Sequence, residues 1–158
     1  MNYDSVKKFY PVLREVAALS KDQSTKVGCV ALGPERNVLG VGYNGFPRGV
    51  FESYPDRHER PAKYLWTAHA EENLIAQSAR HGVALKGATL LLYPLLPCAA
   101  CARMIVQAGF EAIVVFARSD EDINNPRWNN HFDVSEQIFK EAGVDLVIYV
   151  ENDTLTMS

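Results

Sequence analysis

Apolar side chains recur three and four positions apart at Val6, Phe9, Leu13 and Val16, the spacing of one helix face, so an amphipathic helix is expected over residues 5 to 19. Pro11 should kink that helix or mark a late start. The rhythm then changes. "KVGCVAL" (26 to 32) and "NVLGVGYN" (37 to 44) have the character of strands, and "GPER" between them carries Gly33 and Pro34, so the pair is expected to form a hairpin. From 44 to 66 periodicity lapses into turn residues, Asn44-Gly45, Pro47, Gly49, Pro55 and Pro61. A long loop is expected there, and loops of this length are usually functional.

Helical spacing returns in "TAHAEENLIAQSARHG", with Thr67 as the expected N-cap and Gly82 as the stop. The remainder alternates: strand 88 to 94, helix 98 to 109 closed by Gly109, strand 112 to 117, helix 131 to 143 closed by Gly143, and strand 145 to 150. Alternating helices and strands call for parallel pairing, while the front hairpin must be antiparallel. The sum is an α/β architecture, one mixed sheet of about five strands flanked by helices. No repeat or interdomain linker interrupts the 158 residues, a length that suits one domain spanning 1–158.

Composition narrows the partners. Hydrophobic residues at 47% and charged residues at 22% are ordinary for globular proteins. No apolar run is long enough to span a membrane, and the N-terminus lacks the apolar core of a signal peptide, so a cytoplasmic location is the default expectation. A net charge of −3 gives no electrostatic footprint for nucleic acid, which favours a small-molecule partner. The three cysteines are an odd number, so a disulfide framework is not expected.

Two of those cysteines carry the chemistry. Cys98 and Cys101 follow Pro97 at an expected helix start and share one face, so both sulfurs can reach one point. Such a pair alone suits a redox dithiol, as in thioredoxin-like oxidoreductases, or half of a metal site. His69, upstream at the start of the preceding helix, completes a three-ligand zinc site with an open fourth position, the mark of a catalytic metal. Glu71 is the expected base. Residues two apart point to opposite sides of a regular helix, so His69 and Glu71 can share a site only at a helix tip. Cys29, in an apolar strand, is expected in the core, and Glu72 is expected to be a dipole-stabilising surface charge. H-x-E followed by P-C-x-x-C is a general signature of zinc deaminases.

With these residues the chain resembles the cytidine and deoxycytidylate deaminase superfamily, most closely its deoxycytidylate deaminases, over roughly residues 5 to 150. Besides "HAE" and "PCAAC", the resemblance rests on "SKDQSTKVGCVAL", "GVGYNGFPRG", "LKGATLLLYPLLPC" and "IVQAGFEAIVV". It implies a three-layer α/β/α fold, a catalytic zinc, conversion of dCMP to dUMP with release of ammonia, and a homo-oligomer such as a hexamer. It also implies nucleotide recognition by Asn44, phosphate contacts by Lys26 and Arg48, and a nucleoside triphosphate effector, with Mg2+, at the segment Tyr43, Asn44, Gly45, Phe46 and Arg48. A plain left-handed turn at Asn44-Gly45 and a solvated Arg48 are the structural alternative.

Departures from the family pattern are local. Glu72 replaces an apolar residue, only Glu52 follows the "NGFPRG" segment where many relatives have an acidic pair, and residues 118 to 131 form a polar loop around Trp128. Trp66, Tyr43, Phe46, Tyr93 and Trp128 are candidates to stack on a base. The alternatives within the superfamily are a nucleobase deaminase for guanine or cytosine and an enzyme for a modified cytosine nucleotide. A tRNA-editing deaminase should be more basic, and a riboflavin-pathway deaminase should space its cysteines more widely.

Overall fold

The computed structural model describes residues 2–151. A 3-10 turn over Asp4–Phe9 leads directly into helix α1 (Tyr10–Ala18). Pro11 thus lies in the first turn of the α-helix, where its missing N–H breaks no hydrogen bond, and it marks a late start rather than a kink. Strands β1 (Gly28–Leu32) and β2 (Val38–Tyr43) form the expected hairpin. The stretch from 44 to 66 is less irregular than its composition suggests. It contains a 3-10 turn at Pro55–His58 and a single-turn helix α2 (Lys63–Trp66). Helix α3 (Ala70–His81), strand β3 (Thr89–Tyr93), helix α4 (Ala99–Ala108) and strand β4 (Ala112–Ala117) follow. A short helix α5 (Asp120–Ile123) occupies part of the polar loop, before helix α6 (Asn129–Ala142) and strand β5 (Asp145–Val150).

The five strands lie in the order β2-β1-β3-β4-β5. β1 pairs antiparallel with both β2 and β3, whereas β3, β4 and β5 run parallel. Alternation along each strand then sorts side chains between two helical layers. Cys29, Ala31, Leu90, Leu92, Ile113 and Val115 face a core shared with α3, α4 and α6. Val30, Leu32, Leu91, Val114 and Phe116 face Leu13 and Val16 of α1. The result is the three-layer α/β/α fold.

Helices α3, α4 and α6 each end on a glycine in the left-handed region, Gly82 (φ 68°), Gly109 (φ 91°) and Gly143 (φ 72°). Their starts depart from expectation. Thr67 is not the N-cap of α3: it is extended, and His69 takes the capping position with φ −72° and ψ 158°. The reason is tertiary, because Ala68 is held in an antiparallel bridge to Gly45 by N–H···O bonds of 3.1 and 2.9 Å. A chain pinned as a strand at Ala68 cannot begin a helix at Thr67.

Gly42 sets how closely α3 approaches the sheet. A Cβ at this position would collide with the Ala70 carbonyl and lie 2.9 Å from Leu74 Cβ. Gly42→Ala should therefore cost about 1–3 kcal/mol in denaturant unfolding. It should also lower turnover, because α3 must shift outward at the turn that carries His69 and Glu71. An unchanged midpoint and rate would show that the helix does not rest on this contact.

Candidate functional site

The strand-to-helix junctions of β3–α4 and the start of α3 meet at one end of the sheet, and the chemistry gathers there. His69 is the N-cap of α3 and Cys98 the N-cap of α4. Cys101 lies in the first turn of α4 and is fully buried. The His69 Nδ1 is 3.4 Å from Cys98 Sγ and 3.3 Å from Cys101 Sγ. All three donor atoms lie within 4.8 Å of one another. Tetrahedral zinc with Zn–S of about 2.3 Å and Zn–N of about 2.05 Å needs N···S edges of roughly 3.6 Å. The donor set and its spacing fit that ion.

The three groups also compete for protons. Cys98 is held well below the usual thiol range by the Cys101 S–H donating to it and by His69 beside it. Cys101 moves the opposite way, because its proton is shared with Cys98 and its sulfur is buried. The pairing with Cys98 pushes the His69 imidazole up to about 9. A divalent cation at the common point would stabilise both thiolates and replace these shared protons.

Glu71 occupies the first turn of α3 and is 4% exposed. Burial pushes its carboxyl up to about 7, against the opposing pull of His69. The objection that residues two apart cannot share a site is answered by the backbone: His69 is extended and precedes the helix, so the 100° per residue of a helix does not separate it from Glu71. Glu72 has a more specific role than a surface charge. Its Oε1 accepts the His69 backbone N–H at 3.2 Å, fixing the ligand's backbone at the helix tip. Cys29 is fully buried in the core behind the site, as expected.

Glu71, His69 and Cys98 face a cleft whose walls include Thr25, Val27, Asn44, Tyr64, Leu95, Leu96, Trp128 and Phe132, with the cations Arg60, Lys63 and Arg127 and the anion Asp22. Asn44 reaches this cleft but its side chain is already committed: Oδ1 accepts the Val27 N–H at 2.9 Å and Nδ2 donates to the Thr25 carbonyl at 3.0 Å. It holds the wall that a ligand would touch. Asn44-Gly45 adopts no left-handed turn.

The other expected nucleotide contacts lie elsewhere. Lys26 is exposed and outside the cleft, and Arg48 donates to Gln77 Oε1 at 2.6 Å on the outer surface of α3. Tyr43 is exposed, with its carbonyl accepting from Asn73 Nδ2 at 2.8 Å, and Gly45 is used in the bridge to Ala68. Phe46 stacks on His58 at 4.8 Å, beside Trp66. Tyr93 packs edge-on against Tyr10, on the α1 side of the sheet. Of the aromatic candidates Trp128 alone lines the cleft, its ring perpendicular to His69 at 6.4 Å. Tyr64, Arg60 and Arg127 were not visible as site residues in the sequence, because they stand in stretches without periodicity.

Comparison with known proteins fits this geometry. Residues 4–117 match the model of the cytidine and deoxycytidylate deaminase zinc-binding region. Among curated proteins, one named "Uncharacterized deaminase in luxG 3'region" from Aliivibrio fischeri is 36% identical over 140 residues, 89% of this chain and 90% of that protein. Deoxycytidylate deaminase of Mus musculus is 31% identical over 133 residues, 81% of this chain and 70% of the mouse protein. The dCMP deaminase of cyanophage S-TIM5, solved in complex with dCMP and dUMP, superposes with a TM-score of 0.72 at 22% identity, covering 94% of this chain and 99% of the phage chain. That likeness carries the fold. The chain belongs to the cytidine and deoxycytidylate deaminase family, and it is a hydrolytic deaminase close to the deoxycytidylate deaminases.

Proposed function

We propose that the chain deaminates a free pyrimidine nucleotide, dCMP to dUMP with release of ammonia, using His69, Cys98 and Cys101 to hold zinc and Glu71 to move protons. The observation that carries this reading is the convergence of the His69 Nδ1 and two cysteine sulfurs beside a buried carboxyl at the floor of one cleft. Its curated deoxycytidylate deaminase relatives support the substrate class.

Zinc held by His69, Cys98 and Cys101 would supply the Lewis acidity that makes water a nucleophile near neutral pH. Glu71, with its carboxyl up at about 7, takes a proton from the attacking water and passes it to ring N3, then carries the second proton from the new C4 hydroxyl to the departing 4-amino group. The balance is one water in, one ammonia out, and a 4-amino group exchanged for a carbonyl oxygen. Trp128 offers its ring to the pyrimidine, and Leu95, Leu96 and Phe132 exclude bulk water from the floor. Asn44 and Glu72 act at one remove, by fixing the cleft wall and the His69 backbone.

The test is ammonia release from zinc-loaded protein against a panel of cytosine, guanine and adenine bases, nucleosides and nucleotides, with and without a nucleoside triphosphate and Mg2+. We expect dCMP to give the highest kcat/KM. A panel in which a free nucleobase leads would replace this reading with that of a nucleobase deaminase.

A further inference from the structure

The cleft carries three cations, and they are not equivalent. Lys63 is neutralised: its ammonium sits 3.2 Å from the Asp22 carboxylate, with both side chains largely buried. Asp22 is in turn locked. Despite its burial, the backbone N–H groups of Ser24 and Thr25 and the Lys63 ammonium hold its carboxyl below the usual range. That pair is a closed unit in the wall. Among the described residues Arg60 meets no carboxylate and donates only to the Ser24 hydroxyl, at 3.1 Å. Among the described residues the Arg127 guanidinium has no hydrogen-bond or ion-pair partner. Two uncompensated, exposed guanidinium groups therefore stand on a cleft whose other anion, Glu71, is buried at its floor.

Their placement along the cleft gives them a ligand. Trp128 touches His69 of the floor with its ring at 6.4 Å and Tyr64 of the 59–66 segment at 6.1 Å, in both cases edge-on. This side chain ties the segment that bears Arg127 to the one that bears Arg60. Glu71, Trp128 and the two arginines thus line one cleft, the carboxyl buried and the guanidinium groups exposed. A nucleoside monophosphate presents a reactive ring at one end and a charged phosphate at the other. With the ring's amino carbon at the buried carboxyl, its charged end meets the exposed guanidinium groups.

We propose that Arg60 and Arg127 form the phosphate clamp of this enzyme, closing on the 5'-phosphate from the loop before α2 and the segment before α6. This rests on the reading of the cleft as a nucleotide deaminase site, and it moves the phosphate role from Lys26 and Arg48. Guanidinium groups suit it because their planar donor pairs match phosphate oxygens bidentately and stay charged at every working pH. The clamp also supplies selectivity, since a nucleoside or free base leaves both arginines without a counter-charge.

The experiment measures kcat/KM for dCMP and for deoxycytidine with the zinc-loaded parent, Arg60→Gln, Arg127→Gln and Lys26→Gln, with melting temperature and metal content as controls. The parent should prefer dCMP. Each arginine variant should lose about 10- to 100-fold on dCMP, the scale of a charge-assisted hydrogen bond, while deoxycytidine turnover stays within about twofold. Lys26→Gln should match the parent on both. Arg127→Lys, which keeps the charge but not the fork, should recover part of the loss through KM. A parent active on dCMP with both arginine variants unchanged would overturn the clamp alone, as would equal losses on the two substrates or a loss confined to Lys26→Gln. A parent inactive on every cytosine compound overturns the underlying functional reading instead.

Discussion

Glu71→Gln should give a folded protein that keeps its zinc and loses deamination by about 10²- to 10⁴-fold, the range for removing a positioned general acid and base. The substitution preserves volume in a pocket where Glu71 is 4% exposed, and Glu71 is not among the three grouped donors. Stability should move the other way from activity. Burial raises the carboxyl from 4.5 to about 7, so the folded chain holds this proton more tightly than the unfolded chain. The group's stabilising contribution is complete below pH 4.5 and is lost as pH rises through about 7. Gln removes that loss, so at pH 8 the variant should melt no lower than the parent. Ammonia release, metal content and a melting curve on one preparation decide the matter. Turnover within tenfold of the parent would strip Glu71 of the proton-shuttle role.

Removing a metal donor should have the second large effect. His69→Ala, Cys98→Ala and Cys101→Ala should each bring zinc from about one per chain to well below that, and activity to background. Because the donors join the tips of α3 and α4, the metal is also a tether between helices. At 1,000-fold excess over its dissociation constant a ligand adds about 4 kcal/mol. In a protein of this size that is on the order of 10 °C of melting temperature. Chelation of the parent should reproduce the shift, and zinc, rather than a reductant, should reverse it. A metal-poor protein with a reversible Cys98–Cys101 disulfide would favour a dithiol oxidoreductase, in which His69 and Glu71 would have nothing to do.

The sheet was legible in the sequence because burial imposes a period on it. β4 and β5 begin and end where the apolar runs do, and the glycines that stop α3, α4 and α6 announce themselves by the left-handed conformation they alone adopt cheaply. The grouping of His69, Cys98 and Cys101, with Glu71 on the same cleft, was equally plain, since all four stand at or beside two expected helix tips. What escaped was set by contacts distant in the chain. Thr67 has the right chemistry for a cap, but the partner strand at Gly45 overrides it and passes the position to His69. Lys26 and Arg48 have the right charge for phosphate, yet the hairpin and the outer face of α3 carry them away from the cleft. Trp128 was one aromatic candidate among five, and Arg60, Tyr64 and Arg127 were none, because they come from stretches without periodicity more than 60 residues apart that only folding makes neighbours.

The Gly45–Ala68 bridge divides the enzyme into a part that must be conserved in shape and a part that need not be. Its two hydrogen bonds close residues 46–67 into a staple whose base abuts His69 and whose body carries Arg60, Lys63 and Tyr64. Loop-closure entropy grows slowly, about 0.6 kcal/mol for each doubling of length. Residues can therefore be inserted or exchanged above the staple at small cost in stability, while the backbone that positions the metal donors stays in register. On the proposed reading, the share of substrate choice that Arg60 and Tyr64 hold is a replaceable cassette, and the bridge is the joint at which it is attached.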